Sequence, residues 1–199
     1  MGTQAACRET KKLSSISTEI SARTFQVDCS IVESVLDLFD YFDANFGPPD
    51  VVLYNCGSRI RGNVAEIDLN QAEYAFRVNI NGAFIVAQQT SKRMIPLKKG
   101  AIFFTGATAS VKGFPGSSVF AMGKFALRGL AQSLYRELSP LGIHVVHFVI
   151  DGAVAKESPN SDSDILTSEA IAKSYISTLK QPKQAWTHEI ELRSFSEKF

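Results

Sequence analysis

Long apolar runs, charge clusters and paired cysteines are all scarce in this chain of 199 residues, and each scarcity removes a class of function. No stretch approaches the roughly 20 consecutive apolar residues that cross a hydrocarbon core, so no membrane helix is expected. Lys and Arg number 21 against 20 Asp and Glu, a formal net charge of +1, and basic residues go no further than pairs such as Lys11-Lys12 and Lys98-Lys99. A phosphate-tracking surface needs more than that, and nucleic acid is not an expected partner. The 3 cysteines, Cys7, Cys29 and Cys56, form no C-x-x-C, which argues against a disulfide framework and for a reduced, cytoplasmic setting. The opening MGTQAACRETKK has no apolar signal core, and Ala6 stands where a myristoylation signal wants Ser or Thr.

What is present is an ordinary globular composition, 45% hydrophobic and without internal repeats, long enough for one domain with a sizeable core. Continuous apolar runs bounded by turn residues mark strands covered on both faces. They fall at 50–55 (DVVLYN), 101–105 and 143–150, the last introduced by Pro140-Leu141-Gly142 and closed by Asp151-Gly152. A shorter strand is expected at 23–28, and the alternation of Trp186, His188, Ile190 and Leu192 with polar residues reads as a half-exposed edge strand.

Helical spacing appears between them. One helix is expected over 7–20. A second is expected from Ser30, whose Glu33 three residues on makes a capping box, through Val35, Leu38, Phe39 and Phe42 to the stop at Gly47. Asp68 and Gln71 cap a long helix carrying Ala72, Phe76, Ile80, Ala83, Phe84, Ala87 and Met94, ended by Pro96. Another begins near Ser117 or Ser118, and a short one spans 167–181. The Ser-, Asp- and Asn-rich stretch 156–164 reads as a surface loop on the ligand side, a lid in its placement. Strands alternating with helices give an α/β doubly wound parallel sheet, Rossmann-like, in which 50–199 supply the main sheet and 1–47 pack less well.

Within this pattern the segment GAIFFTGATASVKGFPGSSVFAMGKFALRG, 100–129, is a strand, a Gly/Ser-rich loop and a helix, the place where open α/β sheets bind ligands. Phe120 and Lys124 lie one turn apart on one helix face. The layout resembles the active-site segment of the short-chain dehydrogenase/reductase family, in which a Ser after the strand and a Tyr-x-x-x-Lys carry the chemistry. The resemblance extends from about Arg8 to the C-terminus. It implies hydride transfer between NAD or NADP and a small-molecule carbonyl or alcohol, and self-association through the long helices.

The family's roles map onto this sequence residue by residue. Asn55-Cys56-Gly57 resembles the Asn-Ala-Gly turn beside the adenosine ribose; as an isolated tripeptide it is a turn whose Gly supplies positive φ. Asp28 matches the adenine-contacting Asp and is also an ordinary turn carboxylate. Asn79 matches the Asn that bends the long helix and holds a relay water, a role that accounts for a poor helix former in mid-helix. Lys124 matches the lysine that binds the nicotinamide ribose and lowers the Tyr pKa, or is simply a partly buried lysine. Asp151-Gly152 replaces the Pro-Gly beside the nicotinamide pocket.

Two departures bear on the chemistry. Phe120 stands at the Tyr position and Ala107 at the Ser position, and neither side chain can donate a proton or a hydrogen bond. Thr105, Thr108 and Ser110 offer hydroxyls nearby without an adjacent base. The family's opening βαβ unit, about thirty residues with a glycine-rich pyrophosphate turn, has no counterpart here, which leaves the strands at 23–28 and 50–55 as unpaired edges. The expectation is an impaired, truncated pseudoenzyme; the alternatives are a non-catalytic binding or assembly subunit and an isoform without independent function. His144 and His147, three apart on a strand, point to opposite faces, so no metal site is expected. Arg59 and Arg61 could meet a phosphate or be solvated.

Overall fold

Residues 2–156 and 165–195 are described by a computed structural model. The chain opens with a strand, β1 (Gln4–Cys7), then a short 3-10 turn and the helix α1 (Ser14–Glu19) lead to β2 (Arg23–Gln26). The single helix expected over 7–20 is thus corrected. Gln-Ala-Ala-Cys carries no β-branched or aromatic side chain, yet it is held extended by parallel pairing with β2, Gln4 opposite Arg23 and Cys7 opposite Gln26. Pairing overrides weak local preference. The same pairing gives β2 the neighbour that the sequence alone denied it.

The helix α2 (Val32–Asn45) starts at Ile31, not at the Ser30–Glu33 capping box. Asp28 intervenes: its Oδ1 accepts from the Ser30 N–H at 2.8 Å and the Ser30 hydroxyl at 2.7 Å, so the residue that would cap the helix closes an Asx turn instead. Gly47, at φ 76, stops the helix as expected, its N–H bonding to the Phe42 carbonyl at 3.0 Å. After β3 (Val51–Tyr54), Asp68 caps α3 (Leu69–Phe76) by accepting from the Gln71 N–H at 2.8 Å.

The long helix is interrupted. Residues Arg77–Gly82 form a π-helical turn before α4 (Ala83–Met94) resumes. Such a turn frees a carbonyl from the regular ladder, and here Val78 O accepts from the Tyr54 hydroxyl at 2.6 Å. Gly82 is required there because a Cβ would lie 2.4 Å from the Cys29 carbonyl.

Strand β4 (Gly100–Thr105), helix α5 (Ser118–Leu138) and strand β5 (Ile143–Asp151) form the centre. Two short strands, β6 (Ala153–Ala155) and β7 (Ile165–Thr167), pair with each other, and α6 (Ser168–Leu179) leads to β8 (Glu189–Arg193). The loop expected over 156–164 falls, apart from Lys156, outside the described residues. The main sheet runs β3-β4-β5-β8, all parallel, with β3 and β8 at its edges; β1 and β2 make a separate pair.

Alternation sends Ile102, Phe104 and Val145 to one face, against Ala83, Ala87, Leu127 and Ala131. Ala101, Phe103, Val146, Phe148 and Ile150 face the other way, against Ile171 and Tyr175. Helices therefore cover both faces, as a doubly wound sheet requires. Val27, Val35 and Phe39, from the stretch 1–47, lie in the first of these clusters. At the β3 edge Val51 and Leu53 remain 41% and 49% exposed.

Candidate functional site

The carboxyl ends of β3, β4 and β5 bring the sequence-singled residues toward one end of the sheet, with α5 supplying Lys124. That lysine is 6% exposed, and its ammonium donates to the Thr105 carbonyl at 2.7 Å. Burial brings its pKa down to about 8, with the nearby Cys56 opposing the shift. One turn earlier on α5 the Phe120 ring lies 5.8 Å from the ammonium and 5.5 Å from the Arg59 guanidinium. Two cations thus face a ring that carries no hydroxyl.

Ala107 opens a 3-10 turn (Thr108–Ser110), and its N–H donates to the Ser110 hydroxyl at 3.1 Å. The Thr108 hydroxyl donates to the Asp151 carboxylate, which also pairs with Arg193. Thr105 bonds the Tyr175 hydroxyl at 2.9 Å. The Tyr175 phenol belongs to the opposite face of the sheet, where it stacks on Phe148 at 3.6 Å, and burial pushes its pKa up to about 12. All three hydroxyls that the sequence offers near Lys124 are therefore engaged within the fold.

Asn79 sits in the π-helical turn, 2% exposed, with both amide ends on Ser58: Oδ1 accepts from its N–H at 2.9 Å and Nδ2 donates to its carbonyl at 2.8 Å. The side chain straps the loop after β3 to the long helix. Gly57 lies beside it, and a Cβ there would be 3.7 Å from Asn79 Oδ1 and 3.8 Å from Lys124 Nζ, ordinary contact distances. Its φ is not positive, so the turn geometry expected from the tripeptide is corrected. Gly152, by contrast, adopts φ 143.

Cys56 meets Cys29, at the end of the preceding αβ segment, with sulfurs 3.2 Å apart. The Cys29 hydrogen bond holds the Cys56 thiol below its usual range, helped by the Lys124 and Arg8 charges; Cys29 is pushed up, first by its bond to Cys56 and then by burial. Asn55 is exposed, and Asp28 is half-buried on Ser30.

The sequence reading gave no sign of a half-buried triad behind β4 and β5. Arg128 holds Glu189 through two hydrogen bonds, at 2.8 and 2.7 Å, and Glu189 accepts from His147 Nδ1 at 3.0 Å. Arg128 keeps the Glu189 carboxyl below its usual range, while burial lowers His147, leaving it neutral. Among the described residues His147 Nε2 has no hydrogen-bond partner, and it presses on Gly106, where a Cβ would stand 2.2 Å away. His144 stacks on Trp186 at 4.5 Å. Among the described residues no group of three His, Cys, Asp or Glu side chains is placed to hold a metal.

A nicotinamide dinucleotide would find part of a cradle here. Lys124 and the Asn55–Gly57 loop are in reach of one another, but Asp151 is committed to Arg193 and Thr108, and no helix after β1 follows a glycine-rich turn to meet a pyrophosphate. The residues present do not fit the whole cofactor.

The family model described as short chain dehydrogenase matches residues 2–161. A curated relative, an uncharacterized oxidoreductase of Staphylococcus aureus strain USA300, is 25% identical over 197 residues, covering 94% of this chain and 84% of its own. A short chain aldehyde dehydrogenase of Euphorbia lathyris is 30% identical over 120 residues, 59% of this chain and 42% of its own. Among solved structures, a short-chain dehydrogenase from Rhodopseudomonas palustris matches with a TM-score of 0.84 at 30% identity, over 98% of this chain and 87% of that one. An alcohol dehydrogenase from Thermococcus sibiricus, complexed with 5-hydroxy-NADP, matches with a TM-score of 0.86 at 21% identity, over 99% and 87%.

Proposed function

We propose a function from one premise: this chain belongs to the short-chain dehydrogenase family. Its family chemistry is the exchange of a hydride between NAD or NADP and a small carbonyl or alcohol, and we infer that this chain keeps the scaffold without performing the transfer. The observation that carries the reading is Phe120. Reduction of a carbonyl needs a proton delivered to oxygen as hydride reaches carbon, and the group that Lys124 faces at 5.8 Å is a phenyl ring. The lysine's own hydrogen bond runs inward to Thr105 O.

The test is NAD(P)H oxidation over a panel of carbonyl compounds, with the unmutated chain beside Phe120→Tyr/Ala107→Ser. No turnover is expected from either. Proton transfer contributes about 3–5 kcal/mol of the barrier, against roughly 7–11 for positioning the reactants, so a restored phenol does not replace a held hydride donor. Turnover by the unmutated chain would overturn the reading, and turnover by the double variant alone would make the missing acid the sole defect. Calorimetry with both cofactors is expected to find no low-micromolar binding.

An assembly role is favoured by a second observation. A groove of about 390 Å³ between the π-helical turn, α4 and α5 is lined by Ile80, Phe84, Ala126 and Leu130. Phe84, Met122 and Phe125 are 55%, 57% and 45% exposed on the same helices. Apolar surface of this kind on long helices fits a second copy of the chain. Light scattering at tens of micromolar is expected to show an oligomer; a monodisperse monomer with cooperative melting would refute it.

A further inference from the structure

Cys29 follows β2 and Cys56 follows β3, so each belongs to a different sheet, and among the described residues no backbone hydrogen bond joins the two. The sulfurs nevertheless stand 3.2 Å apart. A disulfide needs them at about 2.05 Å, an approach of about 1 Å. Cys29 is 8% exposed, whereas Cys56 is half-buried at the mouth of the loop. We propose that Cys29 and Cys56 form an oxidation site for hydrogen peroxide, closing to an intramolecular disulfide that staples the β1–β2 pair to the four-stranded sheet.

The two thiols are unequal, which fixes the order of events. Cys56 faces the Lys124 and Arg8 cations and is the more readily ionised, so it attacks first. Its thiolate displaces one peroxide oxygen as hydroxide, which takes up a proton to leave as water, and Cys56 becomes a sulfenic acid. The Cys29 sulfur then attacks the Cys56 sulfur; the S–S bond forms, the S–O bond breaks, and the Cys29 proton leaves with the departing hydroxide as a second water. Two thiols lose two electrons and one peroxide gains them. The closed loop, joining residues separated by 27 positions, encloses α2 and β3. Cross-linking restricts the unfolded chain and is expected to raise Tm by roughly 5–10 °C.

The experiment treats the purified chain with equimolar hydrogen peroxide, alkylates the remaining thiols and maps peptides without reduction. The expected product is one cross-link between the Cys29 and Cys56 peptides, with Cys7 still alkylated, reversed by dithiothreitol and accompanied by the Tm rise. Cys7→Ser should behave identically. Cys29→Ser should stop at a Cys56 sulfenic acid trapped by dimedone, and Cys56→Ala should give neither adduct nor cross-link. Oxidation of Cys56 to sulfinic acid with Cys29 still alkylated, or cross-links through Cys7 or between chains, would overturn the proposal. Should a cysteine variant fail to fold, the map of the unmutated chain decides by itself.

Discussion

β5 is buried along all nine of its residues, whereas β1 and β2, four residues each, bury none of theirs. The main sheet is held by parallel ladders and by side chains packed on both faces. The N-terminal pair is joined to it by side chains: Val27, Cys29, Val35 and Phe39 enter the core, Arg93 of α4 holds Asp43 of α2 at 2.6 Å, and Arg8 meets the Tyr74 hydroxyl. The main sheet is held by ladders and packing together; the N-terminal pair has a ladder of its own but is joined to the core by side chains alone. The difference teaches where the residues of the candidate site gain their rigidity, since Thr105, Lys124 and Asp151 belong to the first region and Asp28 to the second.

Core truncation gives the largest test of that contrast. Phe104→Ala, at a fully buried position of β4, should cost about 3–5 kcal/mol in urea unfolding, while Val27→Ala, beside β2, should cost about 2. Equal losses would break the comparison. Hydrogen exchange should open β1 and β2 before β5.

Lys124 sharpens it next. Its pKa falls from 10.5 to about 8 on folding, so between those values the unfolded chain binds more protons and stability rises with pH. The contribution is complete above pH 10.5 and lost as pH falls through about 8. The unmutated chain should therefore gain up to about 3 kcal/mol over Lys124→Met across that window, read by denaturant unfolding at several pH values. A constant difference would mean that the ammonium is not desolvated.

Gly82 tests the junction itself. A Cβ there would meet the Cys29 carbonyl at 2.4 Å and the Tyr54 hydroxyl at 2.8 Å, so Gly82→Ala should cost about 1–3 kcal/mol and speed exchange in β2 more than in β5. The smallest effect has the opposite sign. Gly129, exposed within α5, has nothing within 4 Å of its Cβ position, and Gly129→Ala should add about 0.5–1 kcal/mol while leaving exchange in β1 and β2 unchanged.

Local patterns carried much of this architecture into the sequence. The unbroken apolar runs of β3, β4 and β5, the helical stripe of α2, the stop at Gly47, the turn at Gly142 and the one-turn spacing of Phe120 and Lys124 are each readable within a dozen residues, because strand and helix periodicities are properties of the backbone. Asp68 was legible as a cap for the same reason. Ser30 was not, because the competing acceptor, Asp28, changes which hydrogen bond the turn makes. β1 escaped because Gln-Ala-Ala-Cys has no pattern of its own and takes its form from β2.

The site divides along the same line. By itself the sequence determined that a phenyl ring stands one helical turn from Lys124 and that Thr105, Thr108 and Ser110 lie between β4 and its helix. Only the tertiary structure decided what each group touches: the Asn79 amide spent on Ser58 across 21 residues, Cys29 on Cys56 across 27, His147 on Glu189 across 42 and Arg128 on Glu189 across 61. Such pairings leave no periodic trace in the chain, because they are fixed by which elements pack together and not by the spacing along any one of them.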